Sequence, residues 1–218
     1  MALHLFGYLK KYPNRQFLLN SDTPKMDPSL DTQAFHPDFL EDYPDAAEEL
    51  DPGLPEAFGD ELDTAIFFDA DLAHDVKTRR SISGIVQFVG STPVSWSSRR
   101  QGSIATSTYC SEFIAMRSAV EEAIALRYML RCLGIPVTKP TMLFGDNQSS
   151  LKSAQRADGV LNKKRVAISY HFVREAVAAK IVNPVWVQSH ENFADLFTKP
   201  LGKNIFQTLV SKMMLTRS

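Results

Sequence analysis

Two aspartates, Asp69 and Asp71, follow the apolar run AIFF at residues 65–68. Successive side chains of a strand alternate between its two faces, so these two carboxylates project to the same side. Like charges this close together at the end of a core strand repel each other unless a cation neutralises them. This strand end is therefore a candidate for cation-dependent chemistry.

Two further aspartates stand at or near the ends of predicted strands. Asp146 directly follows the apolar run TMLFG at residues 141–145, and Asp195 follows a strand predicted at residues 185–188 after a short loop. A single acid in such a position is usually a helix cap or a turn residue. In an open α/β sheet, however, the carboxyl ends of parallel strands share one edge, where binding sites form. Acids at three strand ends therefore predict a shared site.

A fourth acid, Glu112, lies on the apolar side of a long helix predicted at residues 108–132. One turn further on, this side continues as a stripe at i+3/i+4 spacing, formed by Met116, Ala119, Val120, Ala123, Leu126, Leu130 and Leu133. A carboxylate on a core-facing stripe is costly to bury without a partner. Four carboxylates that converge on one spot offer hard oxygen ligands suited to one or two Mg²⁺ ions. A pair of Mg²⁺ ions about 3.5–4 Å apart is a common device for phosphodiester hydrolysis.

The order of the predicted elements indicates how these acids are positioned. We predict strands at residues 65–69, 84–89, 93–98, 141–145 and 185–188, and helices at 108–132, 148–155, 168–180 and from 192 onward. Three strands in succession, followed by alternating helices and strands, predict an α/β fold. The sheet is expected to be mixed, with antiparallel early strands, later parallel crossovers and helices on its faces.

The charge of the 218-residue chain is unevenly distributed. Residues 22–63 hold fourteen Asp or Glu, one Lys and six of the twelve prolines, which leaves a net charge of −13. This composition predicts a flexible linker. From Thr64 onward, twenty Lys or Arg stand against eleven Asp or Glu, a net charge of +9. A basic domain after an acidic segment favours a polyanionic partner.

Cysteine use and hydropathy exclude other classes of protein. Cys110 and Cys132 are too few for a disulfide framework and form no Cys-x-x-Cys zinc motif. We expect reduced thiols and an intracellular location, with the cytoplasm and the nucleus both left open. The sequence has no apolar run of membrane-spanning length, so no membrane partner is expected.

Six motifs together resemble the ribonuclease H domain of copia-type LTR retrotransposon Pol polyproteins. They occur in the order of that family and cover nearly all of residues 64–201. They are DAD at 69–71, RRSISGIVQFVGSTPVSWSSRRQ at 79–101, STYCSEFIA at 107–115, GDNQSSL at 145–151, YHFVRE at 170–175 and ADLFTKPL at 194–201.

The resemblance implies a ribonuclease H-like fold, a five-stranded mixed sheet flanked by helices. It implies a metal-dependent endoribonuclease that cleaves the RNA strand of RNA–DNA hybrids during retrotransposon reverse transcription. The family's acidic tetrad falls on Asp69, Glu112, Asp146 and Asp195, with two Mg²⁺ ions for which Mn²⁺ can substitute. Asp71 is then expected beside the metal ligands as a supporting acid.

His190 matches a mobile histidine with which many ribonucleases H assist product release. A solvated loop histidine is the alternative. Contacts to an RNA–DNA hybrid require basic groups for phosphates and small polar groups for sugars. The candidates are Arg99, Arg100, Ser107, Thr108, Asn147, Gln148, Lys163, Lys164 and Arg165. For each of them, a solvated charge, a helix cap or a turn residue is the alternative.

The resemblance also predicts how the chain is divided. Residues 1–21 resemble the segment that joins the reverse transcriptase to its ribonuclease H, and the reverse transcriptase core of the same polyprotein is an expected partner. Residues 22–63 form the linker, 64–205 the ribonuclease H-like domain and 206–218 a tail.

Two alternatives and one further hypothesis stay open at this point. Residues 164–167 read KRVA where the family commonly has a Lys-His-Ile-Asp-type run, and this departure motivates the alternative of an inactive remnant that only binds nucleic acid or packs on a polymerase. An integrase or transposase of the same fold fits less well, because those enzymes place their essential glutamate on a late helix. The acidic segment, by its charge alone, could occupy a basic groove as an autoinhibitor.

Overall fold

The computed structural model describes residues 10–11, 15–17, 41–155 and 167–216. Its strands are β1 Arg15–Phe17, β2 Thr64–Asp71, β3 Ile82–Val89, β4 Thr92–Arg100, β5 Thr141–Gly145, β6 Val182–Trp186 and β7 Met214–Thr216. Its α-helices are α1 Thr108–Cys132, α2 Gln148–Gln155, α3 Ala167–Ala178 and α4 Lys203–Met213. Two short 3-10 helices cover Ser189–Glu191 and Phe193–Phe197.

A five-stranded mixed sheet in the order β4-β3-β2-β5-β6 forms the centre of the fold. Strands β2, β3 and β4 are antiparallel, whereas β5 runs parallel to β2 and β6 runs parallel to β5. This confirms the predicted mixed α/β sheet. Strands β1 and β7 pair separately in a two-stranded antiparallel sheet.

Strand β2 is the middle strand of the sheet and is covered on both faces. Ile66 and Phe68 pack into a core with helices α1, α2 and α3 on one side. Phe67 packs on the other side against Phe144 and Phe193, with ring centroids 4.7 and 4.8 Å away. A strand buried on both faces needs a continuous apolar sequence, which explains the run that precedes Asp69.

The last strand and the last helix differ from their predicted positions. Strand β6 occupies residues 182–186 instead of 185–188, because Asn183 and Pro184 pair with β5 although their types indicate a turn. The predicted helix from residue 192 is a 3-10 helix, and α4 is a separate element beyond Pro200 and Gly202, which interrupt the pattern. A domain end at residue 205 would cut α4, whose residues at 209, 210 and 213 are buried.

Residues 41–63 are the described part of the acidic segment, and they contain no helix or strand. They nevertheless form contacts that a loosely attached linker would lack. Glu48 pairs with Arg127 and Arg131 of α1, and Asp42 pairs with Arg174 of α3. These helices carry arginines that are buried or nearly so and need an acid as counter-charge. Asp42 and Glu48 therefore attach this part of the segment to the helical layer, while residues 22–40 lie outside the described part of the chain.

Within the described residues, we find no helix that is both long and apolar enough to span a bilayer.

Candidate metal centre and active site

Asp69 and Asp146 lie at the carboxyl ends of two neighbouring parallel strands, Asp69 near the end of β2 and Asp146 directly after β5. Asp69 lies two residues beyond Phe67, and Asp146 lies two residues beyond Phe144, with which Phe67 is paired in register. Asp69 is 2% exposed. The indole Nε1 of Trp186 at the end of β6 donates a hydrogen bond of 3.0 Å to the backbone oxygen of Asp146. The carboxyl edge of the sheet therefore brings the two acids together, as expected.

Glu112 reaches the same point from the first turns of α1. This helix begins at an N-cap, Ser107, whose hydroxyl accepts a hydrogen bond of 3.3 Å from the Cys110 N–H. Glu112 is 4% exposed. One carboxylate oxygen each from Asp69, Glu112 and Asp146 lie within 4.8 Å of one another. Three of the four predicted acids thus form one compact cluster.

Burial raises the pKa of Glu112 to about 9, and the negative charges of Asp69 and Asp146 contribute to the increase. Without a cation, Glu112 is therefore protonated at neutral pH. Its Oε2 atom is buried and has no hydrogen-bond partner. A buried acid held neutral with one oxygen unsatisfied is the electrostatic signature of a site built for a positive charge.

Asp195, the fourth predicted acid, lies on the 3-10 helix Phe193–Phe197 and is 3% exposed. Asn192 fixes this turn, because its amide Nδ2 donates to the Phe68 carbonyl at 2.9 Å and its Oδ1 accepts from the Ala194 N–H at 3.1 Å. Burial raises the pKa of Asp195, and the nearby charge of Asp69 adds to this, although Lys199 acts in the opposite direction. Asp195 therefore stands beside Asp69, at the margin of the three-acid cluster.

Gly84 of β3 allows the turn that carries Asp195 to lie against the sheet. Gly84 is the register partner of Asp69. A Cβ atom at this position would come within 2.7 Å of both the Ala194 carbonyl oxygen and the Thr198 methyl carbon. Only a residue without a side chain permits this close approach.

Two functional candidates escaped the sequence analysis, Thr198 and Lys199. The Thr198 hydroxyl donates a hydrogen bond to Oδ2 of Asp69. The Lys199 ammonium lies 2.8 Å from Oδ1 of Asp195 and 3.6 Å from Oδ2 of Asp69. The i, i+4 spacing of Asp195 and Lys199 was a usable sign, since such residues face each other on a helical turn.

The donor set fits a hard divalent cation. Besides Oε2 of Glu112, Oδ1 of Asp195 is a buried carboxylate oxygen, and the Lys199 ammonium lies 2.8 Å from it. Buried carboxylate oxygens on converging elements are the ligands that Mg²⁺ and Mn²⁺ prefer. The residues that could hold such ions are Asp69, Glu112, Asp146 and Asp195.

Asp71 and His190 lie outside the three-acid cluster. Asp71 is paired with His74, whose Nδ1 lies 2.6 Å from Oδ2 of Asp71. This engagement fits a supporting acid better than a metal ligand. His190 is exposed on the short helix Ser189–Glu191, between β6 and Asp195. Its part in product release stays a prediction.

Most of the described substrate-contact candidates have a structural partner or an exposed position at an element end. Ser107 caps α1, and Asn147 caps α2, with its Oδ1 accepting from the Ser150 N–H at 3.1 Å. Thr108 and Gln148 are the exposed first residues of these helices. These positions agree with the capping alternative for Ser107 and Asn147, and they leave hybrid contact as a prediction.

Arg99 and Arg100 end the edge strand β4 and are both exposed. Arg100 donates to Asp75 at 2.9 Å. Both line a groove of about 360 Å³ between the sheet and α1, together with Ser83, Ser97, Gln101 and Ser118. Lys163, Lys164 and Arg165 lie outside the described residues.

Curated proteins similar in sequence include polyproteins of plant transposons. The chain is 31% identical over 159 residues to the retrovirus-related Pol polyprotein from transposon RE1 of Arabidopsis thaliana, a match that covers 73% of the chain and 11% of that protein. It is 29% identical over 155 residues to the corresponding polyprotein from transposon RE2 of the same plant, covering 71% and 11%. The chain thus spans about a tenth of the length of these relatives. No protein-family model matches it.

Among solved structures, the LC11 ribonuclease H1 in complex with an RNA/DNA hybrid is similar at 16% identity with a TM-score of 0.47. That match covers 62% of this chain and 93% of the solved one.

The sheet order, the acid cluster and the transposon relatives agree with the resemblance seen in the motifs. The chain has a ribonuclease H-like fold and is homologous to the retrovirus-related Pol polyproteins of transposons.

Proposed function

We propose that this chain is a metal-dependent endoribonuclease that cleaves the RNA strand of RNA–DNA hybrids during the reverse transcription of a retrotransposon. The observation that carries the proposal is the cluster of Asp69, Glu112 and Asp146, whose carboxylate oxygens meet within 4.8 Å, with Asp195 beside them. The homology to transposon Pol polyproteins supports the replicative setting, and the reverse transcriptase core of the same polyprotein is the proposed protein partner.

The proposed cofactor is Mg²⁺, as two ions, with Mn²⁺ as a substitute. Asp69, Glu112, Asp146 and Asp195 would hold it. Bound divalent ions of this kind lower the pKa of an attacking water and stabilise the leaving 3′-oxygen in phosphodiester hydrolysis.

Two hydrogen bonds of the chain position the ligands, and one ligand changes its protonation. Thr198 donates to Asp69, and Asn192 anchors the turn of Asp195 to the Phe68 carbonyl, so two of the ligands have fixed positions. Glu112 has to lose its proton when a cation binds, since its pKa lies at about 9 in the ion-free site. The site is thus preorganised but electrostatically incomplete.

Substrate binding is assigned to the ends of β4, α1 and α2. Arg99 is exposed and suited to a phosphate, whereas Arg100 would have to exchange its contact with Asp75. Polar groups at the helix starts, Ser107, Thr108, Asn147 and Gln148, are suited to sugar and backbone contacts in a wide minor groove. His190 is assigned to product release.

The test is cleavage of a hybrid whose RNA and DNA strands carry different labels, with and without Mg²⁺. We expect Mg²⁺-dependent products from the RNA strand alone, and none from RNA–RNA or DNA–DNA duplexes. Asp146→Asn should abolish cleavage, whereas Glu175→Gln, which changes an exposed acid of α3, should retain it. Hybrid binding without turnover by the wild-type chain would support the inactive remnant instead. Cleavage by the Asp146→Asn variant would contradict the assignment of the acid cluster as the active site.

A further inference from the structure

The ion-free acidic site already contains a positive charge from the chain itself. The Lys199 ammonium lies between the two buried aspartates, 2.8 Å from Oδ1 of Asp195 and 3.6 Å from Oδ2 of Asp69. A lysine ammonium is charged at neutral pH, and this one lies against two carboxylates.

We propose that Lys199 is an internal counter-ion that occupies part of the cation site in the ion-free protein and must leave Asp69 and Asp195 when a divalent cation binds. Lys199 then sets the cation affinity of the site, because every bound ion has to compete with it. This inference rests on the proposed function only in taking the acid cluster as a divalent-cation site.

The contact oxygens are the first argument. Oδ1 of Asp195, a buried carboxylate oxygen, lies 2.8 Å from the Lys199 ammonium. Carboxylate oxygens are the ligands that a hard divalent cation takes, so an ion held by Asp195 competes with the ammonium for this carboxylate. Since Oδ2 of Asp69 is also engaged by Thr198, the ammonium contributes only a longer contact of 3.6 Å there. Lys199 thus offers one positive charge to two carboxylates, with a close contact to Asp195 and a longer one to Asp69.

The mobility of the side chain is the second argument. Lysine carries its charge on a flexible stem with three rotatable donors, which makes exchange of partners easy compared with the rigid fork of arginine. The Lys199 side chain is 37% exposed, whereas those of Asp69 and Asp195 are 3% and 5% exposed. The ammonium can therefore turn toward solvent, while Asp69 stays in strand β2 and Asp195 on the turn that packs against Gly84.

Stability in the absence of ions is the third argument. Buried carboxylates close to one another repel, and without a counter-charge they disfavour the folded state. Lys199 reduces this repulsion until a cation arrives. Loss of the ammonium should therefore have two opposite effects, lower stability without ions and tighter binding of ions.

The test measures divalent-cation binding by the full chain without nucleic acid, by calorimetric titration with Mg²⁺ and with Mn²⁺. For Lys199→Met we expect a Kd roughly tenfold lower than in the wild type, as follows from removing a unit charge that opposes the ion at its ligands. The melting temperature in EDTA should fall, and the stabilisation caused by Mg²⁺ should increase. The matched control is Lys139→Met, which removes an exposed ion pair with Asp63 at 2.9 Å. This variant should leave the Kd for Mg²⁺ and the Kd for Mn²⁺ unchanged.

If Lys199→Met does not fold, Lys199→Gln replaces it, since the amide keeps a hydrogen-bond donor for Asp195 without the charge. An unchanged or higher Kd in the folded variant would overturn the proposal, because a lysine that only contacts substrate would not compete with the ion. The outcome is separable from the proposed function. If the wild-type chain binds Mg²⁺ but cleaves no hybrid, the proposed nuclease activity is contradicted. The competition between Lys199 and the ion can still be measured in that case.

Discussion

Glu48 and Arg127 form a bidentate ion pair between the acidic segment and helix α1. Nε of Arg127 donates to Oε1 of Glu48 at 2.9 Å, and Nη2 donates to Oε2 at 2.7 Å. Arg127 is only 1% exposed. It lies 79 residues after Glu48 in the sequence. The acidic segment thus supplies the counter-charge for a buried cation of the domain, and residues 41–63 act as part of the domain's structure.

Glu48→Gln should destabilise the chain by about 3 kcal/mol, because removing one partner of a buried pair leaves an uncompensated charge. Arg131, which shares the Glu48 carboxylate, would lose its acid as well. Urea unfolding measures the change. Glu49→Gln alters the exposed neighbouring acid and should be neutral within about 0.5 kcal/mol. Equal effects of the two variants would contradict a specific role for Glu48.

The same pair predicts a dependence of stability on pH. Burial raises the pKa of Glu48, but the hydrogen bonds and charges of Arg127 and Arg131 outweigh it and lower the pKa to about 2. The folded pKa lies below that of an unfolded glutamate, about 4.3. The pair therefore contributes fully above this value, and its contribution is lost as the pH falls toward 2.

Unfolding free energies of the wild type and Glu48→Gln, measured from pH 6 down to pH 2.5, check this dependence. The difference between them should be constant near pH 6 and shrink steadily in acid. A difference that stays constant across the whole range would show that the carboxylate charge does not carry the stabilisation.

Asp146→Asn should make the ion-free chain more stable, by roughly 1 kcal/mol, while it removes activity. Asp146 and Asp69 contribute carboxylate oxygens to the same compact cluster, so a neutral amide at position 146 removes a like charge beside Asp69. Thermal unfolding in EDTA measures the stability of the ion-free chain, and thermal unfolding in Mg²⁺ measures the stabilisation by the ion. The gain should appear in EDTA, and the stabilisation by Mg²⁺ should shrink. Lower stability in EDTA would contradict a repulsive cluster.

Gly84→Ala should destabilise the chain by about 1–3 kcal/mol and weaken cation binding, because the added methyl group collides with the turn that carries Asp195. Gly102→Ala is the matched control, since a Cβ atom there meets nothing within 4 Å. Urea unfolding and Mn²⁺ titration are the readouts. If both variants bind Mn²⁺ like the wild type, the close packing at Gly84 does not position Asp195.

Asp69 and Asp71 should respond differently to substitution by asparagine. Asp69 lies in the cluster, whereas Asp71 is paired with His74 outside it. We expect Asp69→Asn to abolish hybrid cleavage and Mn²⁺ binding, and Asp71→Asn to reduce cleavage with only a small change in Mn²⁺ affinity. Equal losses in the two variants would overturn this division of roles.

Most of the elements, and the acids they carry, are recognisable from the sequence. Helices 108–132 and 148–155 and the strand 141–145 agree with their predicted bounds. Glu112 was identifiable because it lies on the apolar side of its helix, one turn before Met116, and Asp69 and Asp146 because they end apolar runs. These signals are local, since the periods of helix and strand appear in neighbouring residues.

The tertiary structure alone decided which distant residues meet. Asn183 and Pro184 join a strand because β5 lies beside them, against their own preference for a turn. Glu48 pairs with Arg127, and Gly84 leaves room for the turn that places Lys199 near Asp69. These residues are far apart in the sequence, so no periodic pattern predicts their contacts. The reason is physical: burial and charge pairing depend on the packed position of a residue, and packing is a property of the whole chain.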